Sequence, residues 1–192
     1  MAVAVGQAWL DAGDCGAVLE SHAQRGFVRG VRHKPKPGQM DDARWRAGYA
    51  RLAALGLHFE LQAPWRQLGE AMRLAGDFPA TALVLNHAGL PLPGESAPWR
   101  AAIGALARLP NVAAKISGLG NLDAGQRREA ILGVVEAFGT QRAMFASNFP
   151  VDSLRLGFDA ICRDFDQATL DLSQEERRGL FHDNAIRIYR ME

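Results

Sequence analysis

The segment Thr81-Ala-Leu-Val-Leu-Asn-His87 shows the pattern that decides the fold, an apolar run typical of a buried strand that ends in two polar residues. Similar runs recur along the chain, and their starts lie about 24 to 31 residues apart, the length of one strand and one helix. They are Ala2–Val5, Phe27–Arg32, Leu57–Gln62, Asn111–Ile116 and Arg142–Ala146. Strands that alternate with helices predict a parallel α/β sheet.

Helical periodicity fills the segments between these runs. One predicted helix opens with Asp123 and Gln126 as a capping pair. Its buried face is formed by Ile131, Val134, Val135 and Phe138. Near the end of the chain, Ser173-x-x-Glu176 predicts a capping box. We expect the helix after it to direct four apolar side chains inward, those of Leu180, Phe181, Ile186 and Ile188.

Composition narrows the class of protein. The 192 residues are 48% hydrophobic, and their 22 basic and 21 acidic side chains are spread along the whole length. Without a basic stripe we expect no nucleic-acid partner, and we expect residues 1–192 to form a single domain. The two cysteines, Cys15 and Cys162, fit no metal or redox motif and favour a reducing compartment, although a disulfide between them is left open. We read no signal peptide at Met1 and no apolar stretch long enough to span a membrane, and we therefore expect a cytoplasmic protein.

Polar residues gather where the predicted strands end. They are Arg32 and His33, Gln62, Asn86 and His87, Lys115 and Ser117, and Asn148 followed by Asp152. Because parallel strands end at one rim, five such strands have the layout of a barrel active site. Periodicity alone favours an open doubly wound sheet, since an eight-unit barrel takes about 250 residues and this chain has room for six units.

Several of these residues also have a structural interpretation. Arg32 fits a salt bridge as well as it fits substrate binding, and His87 fits a histidine bonded to a neighbouring carbonyl. Lys115 lies within an apolar strand and has to reach a carboxylate or the barrel mouth. Asp152 is also placed to cap a helix that starts near Ser153. His58 lies at a strand start and carries no functional signal.

Six ordered motifs between residues 26 and 190 carry a family resemblance. They are Val28-Arg-Gly-Val-Arg-His33, Phe59-Glu-Leu-Gln62, Val84-Leu-Asn-His-Ala-Gly89, Asn111-Val-Ala-Ala-Lys-Ile-Ser-Gly118, Met144-Phe-Ala-Ser-Asn-Phe-Pro150 and Asn184-Ala-x-Arg-x-Tyr189. This set resembles the amidohydrolase-related family, and within it the sugar-lactone and pyrone-dicarboxylate lactonases.

The resemblance implies a (β/α)8 TIM barrel that hydrolyses a lactone or similar cyclic ester of a sugar acid or dicarboxylic acid. It implies that His87 binds a metal where one is used and otherwise polarises the carbonyl. Arg32 matches an arginine that holds the substrate carboxylate or oxyanion. Asn148 stands where the family usually has an aspartate that acts as general base.

The sequence departs from the family pattern in two ways. Family members begin with a strand that bears a His-x-His pair, and this strand and the next are missing here, so we expect an incomplete barrel of about six βα units. A divalent metal such as zinc would then lack part of its usual ligand set, with His87 as the remaining ligand. The second departure is Asn148, whose amide cannot act as a base, so we assign that role to Asp152.

The mechanism expected from these assignments divides the rim between catalysis and substrate binding. Asp152, His87 and Asn148 form the expected catalytic group. Arg32 and His33 bind the substrate carboxylate, and Gln62 and Lys115 orient hydroxyls or counter the oxyanion.

Two other functions stay open. One is a catalytically impaired barrel fragment, and the other is an open α/β domain that binds an anionic small molecule. Because an incomplete barrel leaves unpaired strand edges, we expect a homodimer that covers the gap, with Met1–Val5 at the open edge.

Overall fold

The structure is a computed structural model that describes residues 2–191. Six strands form one parallel sheet in the order of the sequence. They are β1 (Ala4–Gln7), β2 (Val28–His33), β3 (His58–Leu61), β4 (Leu83–Leu85), β5 (Val112–Ile116) and β6 (Ala143–Phe145). The six predicted strands and their parallel arrangement are confirmed, with bounds that shift by one to two residues at most ends.

A helix connects each strand to the next. The helices are α1 (Cys15–Ala23), α2 (Ala43–Ala54), α3 (Leu68–Asp77), α4 (Ser96–Ala107), α5 (Ala124–Phe138), α6 (Phe158–Ala168), α7 (Gln174–Arg178) and α8 (Asn184–Tyr189). The first five lie between successive strands, and the last three follow β6. Both predicted capping boxes are present, at Asp123 with Gln126 and at Ser173 with Glu176.

The main core lies between the sheet and its helices. Phe59 on β3 packs against Trp45 and Tyr49 of α2, with ring centroids 5.7 and 5.1 Å away. Asp42 caps α2 by accepting the Trp45 backbone N–H at 2.9 Å, which sets the register that turns this apolar face to the sheet. Since side chains alternate along a strand, the neighbours His58 and Glu60 point to the opposite face.

A second, smaller apolar cluster covers that opposite face. It contains Val84, Ala113 and Met144 from three strands together with Tyr189 from α8. The C-terminal helix therefore lies against the inner surface of the curved sheet. This position brings Tyr189 close to residues of β3.

The sheet stays open over the described chain. Among residues 2–191, β1 pairs only with β2 and β6 pairs only with β5. The predicted incomplete barrel of about six units is confirmed. Met1 of the predicted sticky segment lies outside the described residues.

The C-terminal helix departs from the prediction. Leu180 is buried, and the Phe181 ring, although 38% exposed, packs against Phe145 and Phe165 with centroids 5.4 and 4.9 Å away. Ile186 is 37% exposed, so the expectation that it points inward was wrong. Residues Gly179–Asp183 form a π-helical turn. Its wider turn shifts the following residues away from the 3.6-residue periodicity on which the expectation rested.

Two further observations concern the whole described chain. Cys15 and Cys162 are both free thiols. Between residues 2 and 191, no helix has the length and apolar character needed to cross a membrane.

Candidate active site

A buried carboxylate, Glu60, organises the carboxyl-terminal rim. Its side chain has no exposed surface. Oε2 accepts hydrogen bonds from Arg32 at 2.7 and 3.1 Å and from Asn86 at 3.2 Å. Oε1 accepts from Lys115 Nζ at 2.7 Å and from Tyr189 Oη at 2.5 Å. Glu60 thus links four elements of the chain through one fully bonded carboxylate.

Strand register places these groups together. Arg32 lies directly across from Glu60 in the β2–β3 pairing, and Asn86 follows the end of β4. Lys115 occupies an inward position of β5, next but one to Ala113. The prediction that Lys115 reaches a carboxylate is confirmed, and so is the salt-bridge interpretation of Arg32. The Arg32 side chain is nevertheless 43% exposed, which leaves part of its guanidinium open to a ligand.

The charges of this cluster support one another. Burial by itself raises the pKa of Glu60, but the charge and hydrogen bond of Lys115 and the bonds from Tyr189 and Arg32 outweigh it and lower that pKa to about 2. Burial lowers the pKa of Lys115, and Glu60 opposes this shift. Glu60 is therefore ionised near neutral pH, and its carboxylate lies 2.7 Å from Lys115 Nζ.

His87 follows β4 in a short 3₁₀ turn and has a positive φ of 55°. Its Nδ1 lies 2.9 Å from Ser117 Oγ, so its partner is a hydroxyl and not the carbonyl of the structural interpretation. Burial, and then the charges of Lys115 and Arg32, lower the pKa of His87 to about 4. The imidazole is therefore neutral near neutral pH.

Asp152 lies in a 3₁₀ helix, Val151–Leu154, and does not cap it. Its Oδ1 accepts a hydrogen bond of 2.9 Å from Asn148 Nδ2. Gly120 approaches closely, because a Cβ there would lie 3.3 Å from the Asp152 carboxyl carbon. Asp152 and Ser117 line one cavity of about 20 Å³, which has room for about one water molecule.

His33 is held by Trp45. The indole Nε1–H donates to His33 Nδ1 at 3.0 Å, so the ring proton of the neutral imidazole lies on Nε2. Burial lowers the pKa of His33, with Asp11 opposing the shift. Arg32 and His33 line a cavity of about 550 Å³ beside β1.

The predicted rim residues therefore form separate groups. Arg32 and Lys115 meet at Glu60, while Asn148 meets Asp152. Gln62 is half-buried, and its backbone N–H donates to the His33 carbonyl at 3.3 Å. Within residues 2–191, no hydrogen bond fixes the Gln62 side chain.

The sequence prediction missed three residues of this site. Glu60 had a detectable signal, because a charge between Phe59 and Leu61 in an apolar strand needs a partner as Lys115 does. Tyr189 is 129 positions away from Glu60, and no local pattern connects the two. His58 is 4% exposed and packs edge-on against Tyr189, with ring centroids 5.0 Å apart.

A metal needs ligands that the described rim does not bring together. No group of three or more His, Cys, Asp or Glu side chains in residues 2–191 is arranged to hold an ion. The positive charges of Lys115 and Arg32 near His87 oppose binding of a metal cation there. Glu60 already accepts hydrogen bonds at both of its oxygens. These residues alone do not fit a catalytic zinc, which takes three protein ligands.

Comparison with known proteins supports the resemblance carried by the six motifs. The family model described as amidohydrolase matches residues 2–191. The chain belongs to the amidohydrolase family. The family-level prediction is thereby confirmed.

Individual relatives agree with this assignment. The chain is 41% identical over 205 residues to "Uncharacterized protein y4mH" of Sinorhizobium fredii, covering 97% of this chain and 69% of that protein. It is 33% identical over 186 residues to an L-fucono-1,5-lactonase of Burkholderia multivorans, covering 84% of this chain and 62% of the lactonase.

The fold comparison gives the same result. A crystal structure of a Burkholderia multivorans amidohydrolase with bound zinc superimposes with a TM-score of 0.92 at 29% identity. The superposition covers 100% of this chain and 74% of that one. The six-stranded sheet is therefore similar to most of that amidohydrolase fold.

Proposed function

We propose that this amidohydrolase chain contributes the rim of a hydrolase that opens a lactone of a sugar acid or dicarboxylic acid. The observation that carries the proposal is the presence at one rim of a neutral imidazole, a carboxylate and an anchored guanidinium, on His87, Asp152 and Arg32. The 33% identity to an L-fucono-1,5-lactonase supports the same reaction class.

His87 polarises the lactone carbonyl. When the Ser117 hydroxyl donates to Nδ1, the single proton of the neutral ring lies on Nε2. Nε2–H then donates to the carbonyl oxygen, where negative charge develops as water attacks. Loss of one such donor typically costs about 10²- to 10³-fold in rate.

Asp152 serves as the base for water. The water oxygen bonds to the carbonyl carbon as its proton passes to the carboxylate, and the ring C–O bond then breaks. The proton moves on to the departing alkoxide oxygen, so that lactone and water give a hydroxy acid. Asn148 acts by positioning, because its amide holds Oδ1 of Asp152 at 2.9 Å.

The substrate is anionic or rich in hydroxyls. The open part of the Arg32 guanidinium binds its carboxylate, and His33 Nε2–H donates beside it. Gln62, which no side-chain hydrogen bond holds within the described chain, can turn toward a substrate hydroxyl. Lys115 contributes its charge to the oxyanion through space, since Glu60 holds its ammonium group.

The described rim residues do not complete a metal site by themselves. The Burkholderia multivorans amidohydrolase has bound zinc, whereas residues 2–191 bring together too few ligands for it. We propose that His87 binds the metal if other residues complete the ligand set.

The test is hydrolysis of a panel of sugar-acid and dicarboxylic lactones by the whole chain, monitored through the protons that the hydroxy-acid products release. We expect Asp152→Asn to lower turnover by at least about 10²-fold. The control Asp159→Asn changes an exposed carboxylate at the start of α6 and should leave turnover unchanged.

Two results would count against the proposal. Normal turnover by Asp152→Asn would remove that residue as the base. If the unsubstituted chain opens no lactone of the panel, the alternative of a barrel that binds an anionic small molecule without catalysis is favoured.

A further inference from the structure

The amino-terminal ends of the strands surround another cavity, at the end of the sheet opposite the carboxyl-terminal rim. It has a volume of about 440 Å³ and lies between α8 and the segments that enter β3 to β6. A neighbouring cavity of about 350 Å³ shares Gly56, Leu57 and Arg190 with it. Cavities of this size fall in the range of small-ligand sites.

Arginines supply the charged side chains that line both cavities. Those of the larger cavity are Arg142, Arg187 and Arg190, and the smaller one adds Arg25 and Arg29. No aspartate or glutamate lines either cavity. The two adjoining cavities therefore have five arginines and no acidic residue in their linings.

These arginines differ from most others in the chain. Nine arginines elsewhere form ion pairs with carboxylates. In the part of the chain that the structure describes, none of the five lies within ion-pair distance of a carboxylate; Glu192 falls outside that part. Concentrated charge of one sign in a cleft raises the local concentration of counter-ions.

Backbone carbonyls hold the guanidinium groups in place. Arg142 donates to the carbonyls of Ala107, Leu109 and Val112 at 2.8 to 3.0 Å. Arg190 donates to Gly56 at 2.6 Å and to Arg29 at 3.3 Å. A neutral carbonyl orients a guanidinium without cancelling its charge, and each guanidinium has five N–H donors, so donors stay available to a ligand.

A buried histidine closes one side of the larger cavity. His58 also lines the larger cavity and is 4% exposed. Neither of its ring nitrogens has a hydrogen-bond partner among the described residues. Both ring nitrogens are enclosed by protein atoms, so His58 forms part of the cavity wall and no ligand contact is assigned to it.

We propose that this arginine-lined cavity binds a small polyanion that carries a phosphate group or several carboxylates. Guanidinium groups bind both kinds of anion through paired hydrogen bonds. The cavity lies at the strand ends opposite His87 and Asp152, so its ligand differs from the substrate and acts as a regulator or stabiliser. The proposal does not depend on lactone hydrolysis.

Isothermal titration of the whole chain with inorganic phosphate, and separately with malonate, tests the site. We expect saturable binding of at least one of the two, and the better ligand identifies the anion class. Arg187→Gln and Arg190→Gln should each weaken it at least about tenfold. Arg163→Gln removes the same charge from an exposed position on α6 and should bind as the unsubstituted chain does.

Amide chemical shifts of the unsubstituted chain give a second measurement that no folding defect can affect. Phosphate or malonate should shift Gly56 and Ala113 and leave Ser117 and Gly118 at the rim unchanged. The proposal is overturned if neither anion binds, or if Arg163→Gln weakens binding as much as Arg190→Gln. It is also overturned if the shifts lie at the rim, a result that would leave the lactonase proposal intact.

Discussion

Replacing Glu60 by glutamine tests whether the rim depends on one buried charge. The substitution keeps the size of the side chain, but its single amide oxygen can replace only one of the two carboxylate oxygens, which accept from Tyr189 and from Asn86. It removes the negative charge that Lys115 and Arg32 share. We expect a large loss of folding stability and, because the rim residues lose their anchor, a loss of any lactone turnover.

The size of the stability loss depends on how exposed the two cations, Lys115 and Arg32, are. Lys115 has a side chain only 14% exposed, so it becomes a buried charge without its partner. Breaking such a pair from one side costs about 3 to 5 kcal/mol. Arg32 is 43% exposed and water screens it, so its share is small. We therefore expect a loss of about 3 kcal/mol near neutral pH.

Urea unfolding followed by tryptophan fluorescence measures this loss. The control Glu136→Gln removes a carboxylate that pairs with Arg100 and is 77% exposed, and should cost less than about 1 kcal/mol. The double variant Glu60→Gln/Lys115→Met removes both buried charges and should recover most of the stability.

The stability difference between the unsubstituted chain and Glu60→Gln should depend on pH. Because folding lowers the pKa of Glu60 from 4.5 to about 2, its contribution is fully present above pH 4.5 and is lost as the pH falls through about 2. The difference between the unsubstituted chain and Glu60→Gln should shrink over that interval. A loss below about 1 kcal/mol near neutral pH, or no recovery in the double variant, would refute this reasoning.

Three further predictions concern packing, titration and assembly. In Gly30→Ala the new Cβ would lie 2.4 Å from the His58 ring, and we expect unfolding measurements to show a loss of stability of about 1 to 3 kcal/mol. The control Gly76→Ala, which has open space around it in α3, should be neutral or stabilising. Burial lowers the pKa of His58 from 6.5 to about 4, so its contribution to folding stability, present above pH 6.5, is lost as the pH falls through 4. Thermal melts of His58→Leu should show a weaker pH dependence over that interval, and an unchanged pH dependence would contradict this. Because β1 has a free edge in residues 2–191, we predict a homodimer in light scattering, and a monomer at high concentration would count against it.

The sequence by itself determined the order and type of the elements. Alternating strand and helix periods predicted six parallel strands, and capping residues such as Asp123 and Ser173 marked helix starts. These features depend on neighbours within a few positions, which is the range over which periodicity and capping act. Polar residues at strand ends also indicated the rim, because a parallel sheet brings those ends together.

Only the tertiary structure decided how the rim residues pair. Glu60 joins Arg32, Lys115 and Tyr189 across separations of 28, 55 and 129 residues, and a local pattern cannot specify such contacts. Ile186 is exposed after one π-helical turn, which apolar spacing does not reveal. The arginine-lined cavity likewise forms from segments far apart in the chain, since its charges gather only when the strands align.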